Sequence, residues 1–155
     1  MKKFQFSLEK LMEYRKSVEQ QAQRDFFEIQ SKFIEAQNKL EDLKSILHDS
    51  FLLRSQLEVQ GGSETNKLEQ IYFFQKGQAV RIASQTKIIA VFEKEVEAKR
   101  EILRQKAIDY KIITKLKEKK REEYLAEYIK EEDGFIDEQN ILRFKTSSKN
   151  ELDEK

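Results

Sequence analysis

The chain has 155 residues, 38% charged and 38% hydrophobic, with a formal net charge of +1. That length suits one ordinary domain, and the near balance of charge argues against a dedicated nucleic-acid binder, which carries a basic excess. The absence of cysteine excludes disulfides and thiolate metal sites, and the absence of proline with only four glycines favours long uninterrupted helices.

The first residues, MKKFQFSLEK, hold two lysines but no apolar core of the kind a secretory signal needs. Ser7 is a good helix N-cap, and Glu9 falls in the first turn, where the helix dipole favours a carboxylate. From there a series runs Leu8, Met12, Arg15, Glu19, Ala22, Phe26, Ile29, Phe33, Ala36, Leu40, Leu43 and Leu47 in alternating steps of four and three. This is a heptad seam, with two polar interruptions at Arg15 and Glu19. Small Ala22 and Ala36 let a second helix approach closely.

Gly61-Gly62-Ser63 breaks the pattern, because glycine accepts the left-handed angles that end a helix. Ser63, Thr65 or Asn66 can cap the next helix. Its series is Leu68, Gln75, Ile82, Ile89, Val96, Leu103, Tyr110, Lys117 and Tyr124, every step being seven, with Phe92 and Ile113 between them. The expected fold is therefore all-α: a long two-helix antiparallel coiled-coil hairpin. Helix 1 spans 7–59, the turn 60–64 and helix 2 65–132, with a short helix over 135–144 after Gly134. Together these make a single domain, 1–144, followed by a polar, disordered tail over 145–155. At about 1.5 Å per residue the helices are on the order of 80 and 100 Å long. Folding about residue 62 sets opposite one another positions whose numbers add to about 124, so Leu47 is expected to meet Gly77 and Tyr72 to lie opposite Leu52.

One stretch resists the heptad. Ile71-Tyr72-Phe73-Phe74 are four successive large apolar residues, and an amphipathic helix buries only one stripe. Phe51-Leu52-Leu53 lies opposite, so two apolar excesses converge about 15 Å from the tip. Phe51, Leu52, Tyr72 and Phe74 are the expected partner-binding residues there, since contiguous exposed apolar surface marks binding sites. The basic run Lys115 to Arg121 is a second candidate surface.

Catalytic chemistry is not indicated. His48 is a lone histidine on a helical run, with no partner residues to make it a base. No GxxxxGK[ST] or GxGxxG is present. Glu131, Glu132 and Asp133 read as a solvated helix end rather than a metal site. No enzyme activity, cofactor or metal is expected, and no apolar run approaches the roughly 18 residues of a membrane span.

The pattern F-x-F-S-L-E-K-L-M-E-Y-R, from Phe4 to Arg15, with Glu19 and Ala22-Gln23 after it, resembles the start of the FliJ family of flagellar type III export proteins. Val96-Glu97, Lys99-Arg100-Glu101, Leu103, the run Lys115 to Lys119 and the pair Asp137-Glu138 agree with it. Gly134 departs from the pattern, which calls for uninterrupted helix there. The resemblance implies an antiparallel coiled coil similar to the central stalk of rotary ATPases, whose paired terminal ends enter the export ATPase ring and promote its assembly and hydrolysis. It implies further partners in the cytoplasmic domain of the export gate protein and in export chaperones, and a cytoplasmic place peripheral to the inner membrane at the flagellar base. On that reading Arg15, Lys117, Lys120 and Arg121 at the open end contact the ATPase, and the tip binds gate or chaperone. The alternative is a structural coiled-coil scaffold, or a stalk counterpart from an injectisome, acting as a homodimer.

Overall fold

The computed structural model describes residues 3–61 and 65–153, with side chains as far as Arg143. Two α-helices account for almost all of it: α1, Glu9–Gln60, and α2, Thr65–Asp153, packed against each other. The amide of Glu9 donates to the Phe6 carbonyl at 3.1 Å, and the amide of Met12 donates to the Leu8 carbonyl at 3.0 Å. The first helical bond thus starts at Leu8, one residue beyond the expected Ser7 cap. At the far end Gly61 has φ of 74°, the left-handed angle that stops α1 without side-chain strain. The expected turn residues Gly62 to Glu64, with the Ser63 cap, lie outside the described residues.

The chain divides into two compact units, Ser17–Ala107 and Met1–Lys16 with Ile108–Lys155. In the first, the seam positions of α1 run Glu19, Ala22, Phe26, Ile29, Phe33, Ala36, Leu40, Leu43, Leu47, Ser50, Arg54 and Leu57, with Val18, Asp25 and Gln30 half-buried beside them. Those of α2 run Leu68, Ile71, Gln75, Gln78, Ile82, Gln85, Ile89, Phe92, Val96, Lys99, Leu103 and Lys106, with Ala107 half-buried beside the last. Both follow the heptad. The pairing is antiparallel: Gln75 Nε2 donates to Ser50 Oγ (3.3 Å), Gln78 Nε2 to the Leu43 carbonyl (3.1 Å) and Gln85 Nε2 to the Ala36 carbonyl (2.9 Å). Farther along, Lys99 approaches Asp25 at 3.8 Å and the Arg100 guanidinium lies 5.9 Å from the centre of the Phe26 ring.

The deepest side chain of this seam is polar. Gln78 is 1% exposed. A two-helix layer has no closed interior, so apolar side chains there remain half-exposed, while an amide that bridges to the facing backbone is enclosed by both helices. Small Ala36 gives Gln85 room to reach that backbone. Gly77 corrects the sequence reading. It does not face Leu47. It is exposed, and a Cβ added to it would meet nothing within 4 Å. The seam takes its neighbours Gln75 and Gln78 instead.

In the second unit the same antiparallel sense holds among Glu9, Arg15, Asp109 and Lys117. Ile113, 2% exposed, is the core residue. α2 is continuous through Gly134, so the separate helix over 135–144 is part of α2 and the backbone stays helical to Asp153. A glycine inside a helix costs about 1 kcal/mol against alanine, which lowers stability without forcing a break. From Ile129 to Arg143 every side chain is exposed. With its side chains exposed, that stretch draws little on tertiary packing, the main source of helical stability.

Surface ion pairs line α2. Arg104 and Gln105 hydrogen-bond the Glu101 carboxylate, the first being the larger effect, and hold it at about 2, well below the ordinary carboxylate value. Lys120 likewise lowers Glu123. A carboxyl with a depressed folded pKa contributes stability that is complete above the unfolded value and lost as pH falls through the folded one. Helicity measured by circular dichroism at fixed temperature is therefore expected to hold from pH 7 to the ordinary carboxylate range, then fall towards about 2. Glu101→Gln should reduce the acid-side loss by a small amount, because the pair is exposed. An identical acid profile in that variant would remove Glu101 from the account.

Candidate functional site

The first surface belongs to the Ser17–Ala107 unit, next to the turn. Ser50 and Gln75 are hydrogen-bonded across the seam, which fixes the level at which Phe51-Leu52-Leu53 and Ile71-Tyr72-Phe73-Phe74 meet. In heptad letters, with a and d in the seam, Ser50 and Ile71 are both d. Each is followed by large apolar residues at e, f and g: Phe51, Leu52 and Leu53 on α1, and Tyr72, Phe73 and Phe74 on α2. The two excesses are thus the same three positions on facing helices. They do not form a one-sided patch but a girdle that surrounds the helix pair.

All six girdle residues are exposed, from 42% for Phe74 to 62% for Phe73. On one side, Leu53, Leu57, Ile71 and Phe74 with Ser50, Lys67 and Gln70 line a shallow groove of about 460 Å³. Elsewhere on the girdle, the Tyr72 and Phe73 rings meet edge-on at 6.0 Å, and Lys76 Nζ stands 4.6 Å over the Tyr72 ring. A cation held over an aromatic face keeps the ring in place while leaving its edge accessible. The sequence reading named Phe51, Leu52, Tyr72 and Phe74, and the structure leaves all four exposed. It missed Leu53, which lines the groove, and Phe73, the most exposed of the six. Reading both stretches in heptad register would have found them.

The second surface belongs to the unit containing the termini. Here the four expected residues separate into two kinds. Arg15 donates from Nη1 to the Asp109 carbonyl at 2.9 Å, and Lys117 Nζ pairs with Glu9 at 2.7 Å. Both occupy seam positions and tie the helices together. Lys120 and Arg121 face outward, Lys120 holding Glu123 at 2.7 Å. That pairing raises the Lys120 pKa, chiefly through the hydrogen bond. The division follows from the heptad: Arg15 and Lys117 continue the two seams, whereas Arg121 lies outside.

The N-terminal segment completes this surface. Residues 3–6 run outside the helix, and the Phe4 ring meets Tyr124 at 5.6 Å and 48°. Phe4 and Phe6 are both half-buried, as the two-residue spacing of F-x-F allows when the chain is extended. With Lys3, Gln5 and Ser7 they form, against Lys120, Glu123, Tyr124 and Glu127, a depression of about 470 Å³ with both charge signs on its rim. The sequence signal was the motif itself, which has no place in a heptad.

Among the described residues no three His, Asp or Glu side chains are grouped to hold a metal ion, and no helix is long and apolar enough to cross a membrane. No curated protein and no solved structure matches the chain. A family model described as flagellar FliJ protein matches residues 4–149, nearly the whole chain and including the F-x-F segment. The chain belongs to the FliJ family and is a component of the flagellar protein export apparatus.

Proposed function

We propose that this protein is a non-catalytic stalk of flagellar export, which promotes assembly and activity of the export ATPase ring and connects it to the export gate and to export chaperones. The observation that carries this reading is the division of exposed chemistry between the two units. The girdle beside the turn is apolar and aromatic, suited to a desolvated contact with gate or chaperone. The unit with the termini presents Lys120, Arg121 and the mixed-charge depression under Phe4 and Phe6, suited to a polar contact with the ATPase. Arg15 and Lys117 serve that second contact by holding the helices in register. The protein acts in the cytoplasm, and reaches the inner membrane only through the export apparatus.

The test mixes the purified protein with the export ATPase of the same organism and follows sedimentation and ATP hydrolysis together. A larger ATPase assembly with a faster rate is expected. Lys120→Glu with Arg121→Glu should lose most of that stimulation. Tyr72→Ala with Phe74→Ala should keep it and weaken gate or chaperone binding about tenfold or more, as loss of aromatic anchors does. Unchanged hydrolysis at saturating protein and low salt would remove the stalk reading. Unchanged affinity for every partner in the helical Tyr72→Ala, Phe74→Ala variant would remove the girdle from it.

A further inference from the structure

The two flanks of the seam in the Ser17–Ala107 unit differ. One flank of α2 carries Phe74, Arg81, Ile88, Glu95 and Ile102, one every seven residues; the other, after Tyr72, carries Ala79, Thr86, Glu93, Arg100 and Ala107. A seven-residue step keeps each set in line with the seam. Phe74, Ile88 and Ile102 are 42%, 46% and 46% exposed. Phe74 stands beside Leu53 of α1, and Ile88 beside Lys32 and Lys39, across shallow grooves on the same side. The bulky apolar residues on that flank fill no place in the two-helix seam.

Their order is its own complement. From either end the row reads large apolar, charged, large apolar, charged, large apolar, and its two charges have opposite sign. We propose that two copies of this chain pair antiparallel along this flank, about a two-fold axis through Ile88. Phe74 then lies against Ile102 of the second copy, so that pairing and the girdle's contact with gate or chaperone exclude one another at Phe74, and Arg81 lies against Glu95 of the second copy, each contact occurring twice by symmetry. A parallel pairing would set Arg81 on Arg81 and Glu95 on Glu95, which like charges oppose. Arg81 donates to the neutral Gln78 side chain at 3.2 Å, an acceptor it can exchange for a carboxylate. From Phe74 to Ile102 is about 42 Å of helix, a length on which side-by-side packing buries on the order of 800 Å² per partner, the area of an ordinary specific interface.

The test uses the intact chain. Sedimentation equilibrium should detect a species of twice 18.6 kDa. Arg81→Glu alone, or Glu95→Arg alone, should weaken it about tenfold, and the two together should restore it to within about threefold, with helicity unchanged throughout. The absence of natural cysteine makes cross-linking direct. Ile88→Cys, on the axis, should yield a covalent dimer on oxidation, and Thr86→Cys, on the other flank, should not. A strictly monomeric chain at about 200 μM would overturn the proposal, assigning the flank to a helix of another protein. So would a dimer indifferent to the single charge changes, or one that the double change fails to rescue.

Discussion

Replacing Gln75, Gln78 and Gln85 together by leucine is expected to raise the melting temperature by about 10 °C and to cost the helices their single register. The three amides occupy seam positions and reach Ser50 Oγ, the Leu43 carbonyl and the Ala36 carbonyl. The two carbonyls sit inside α1, where they also accept bonds from their own helix, so removing the amides orphans little. Leucine has nearly the same volume and buries apolar area where glutamine buries a polar group, a gain of about 1 kcal/mol at each site. At roughly 2–4 °C per kcal/mol for a chain of this size, the total comes near ten degrees. Specificity moves the other way. A fully apolar seam can shift by one heptad or recruit a further helix at little cost, while the bond from Gln75 to the Ser50 side chain and the small Ala36 facing Gln85 suit one register. Calorimetry combined with light scattering reads both effects: a higher transition temperature, and a mixture of masses in place of one. A lower transition temperature would mean that the amide bonds contribute more than apolar burial replaces.

Ile113→Ala is expected to destabilise the protein by about 2–5 kcal/mol, while Ile112→Ala next to it should change stability by less than about 0.5 kcal/mol. The first side chain is 2% exposed and the second 58%. Truncating Ile113 removes its transfer free energy and leaves a cavity between two helices that can only partly close. The unit has no second apolar side chain as deeply enclosed among its described residues, and its other cross-helix ties, from Arg15 and Lys117, are polar. Urea unfolding of the two variants in parallel gives the comparison. Equal losses would show that the seam tolerates truncation anywhere and that Ile113 has no special place in it.

Much of this molecule was legible in the sequence because a heptad reports the one thing a two-helix layer needs, which residue faces the other helix. The series from Leu8 to Leu47 marks most of the α1 seam and that from Leu68 to Tyr124 one residue in each heptad of α2, while Ile71, Gln78, Gln85 and Lys99 between them went unnamed as seam residues; Gly61 ends α1 as expected. What escaped were features that the letters of a heptad do not weigh. Gln78 has no place in the series of sevens, yet it is the most enclosed side chain among the described residues, its amide bridging to the facing backbone. Gly134 reads as a stop, but a glycine among good helix formers lowers stability without ending the helix. Arg15 and Lys117 looked like open-end charges although they continue the two series, and their partners, Asp109 and Glu9, lie too far away in sequence to be paired by inspection. The tip was half legible: composition identified the apolar excess, and only the shared d-e-f-g spelling of the two stretches shows that it runs all the way round.

The antiparallel pairing also dictates an order of assembly. Ser50 and Gln75 are 25 residues apart along the chain, Gln85 and Ala36 are 49, and Lys117 and Glu9 are 108. Loop-closure entropy makes the nearest pair the first to form, and each later pair closes onto a zipper already begun. On the ribosome α1 has no mate until the residues around Gln75 emerge, and until then Phe51, Leu52 and Leu53 stand in the open. The contacts of Glu9, Arg15 and Phe4 with α2 close last, and for the same reason are the first to fray. Amide hydrogen exchange should thus grade along each helix, slow near Gln78 and faster towards the termini, so that the surface of Phe4, Lys120 and Arg121 lies in the part of the fold that opens most readily.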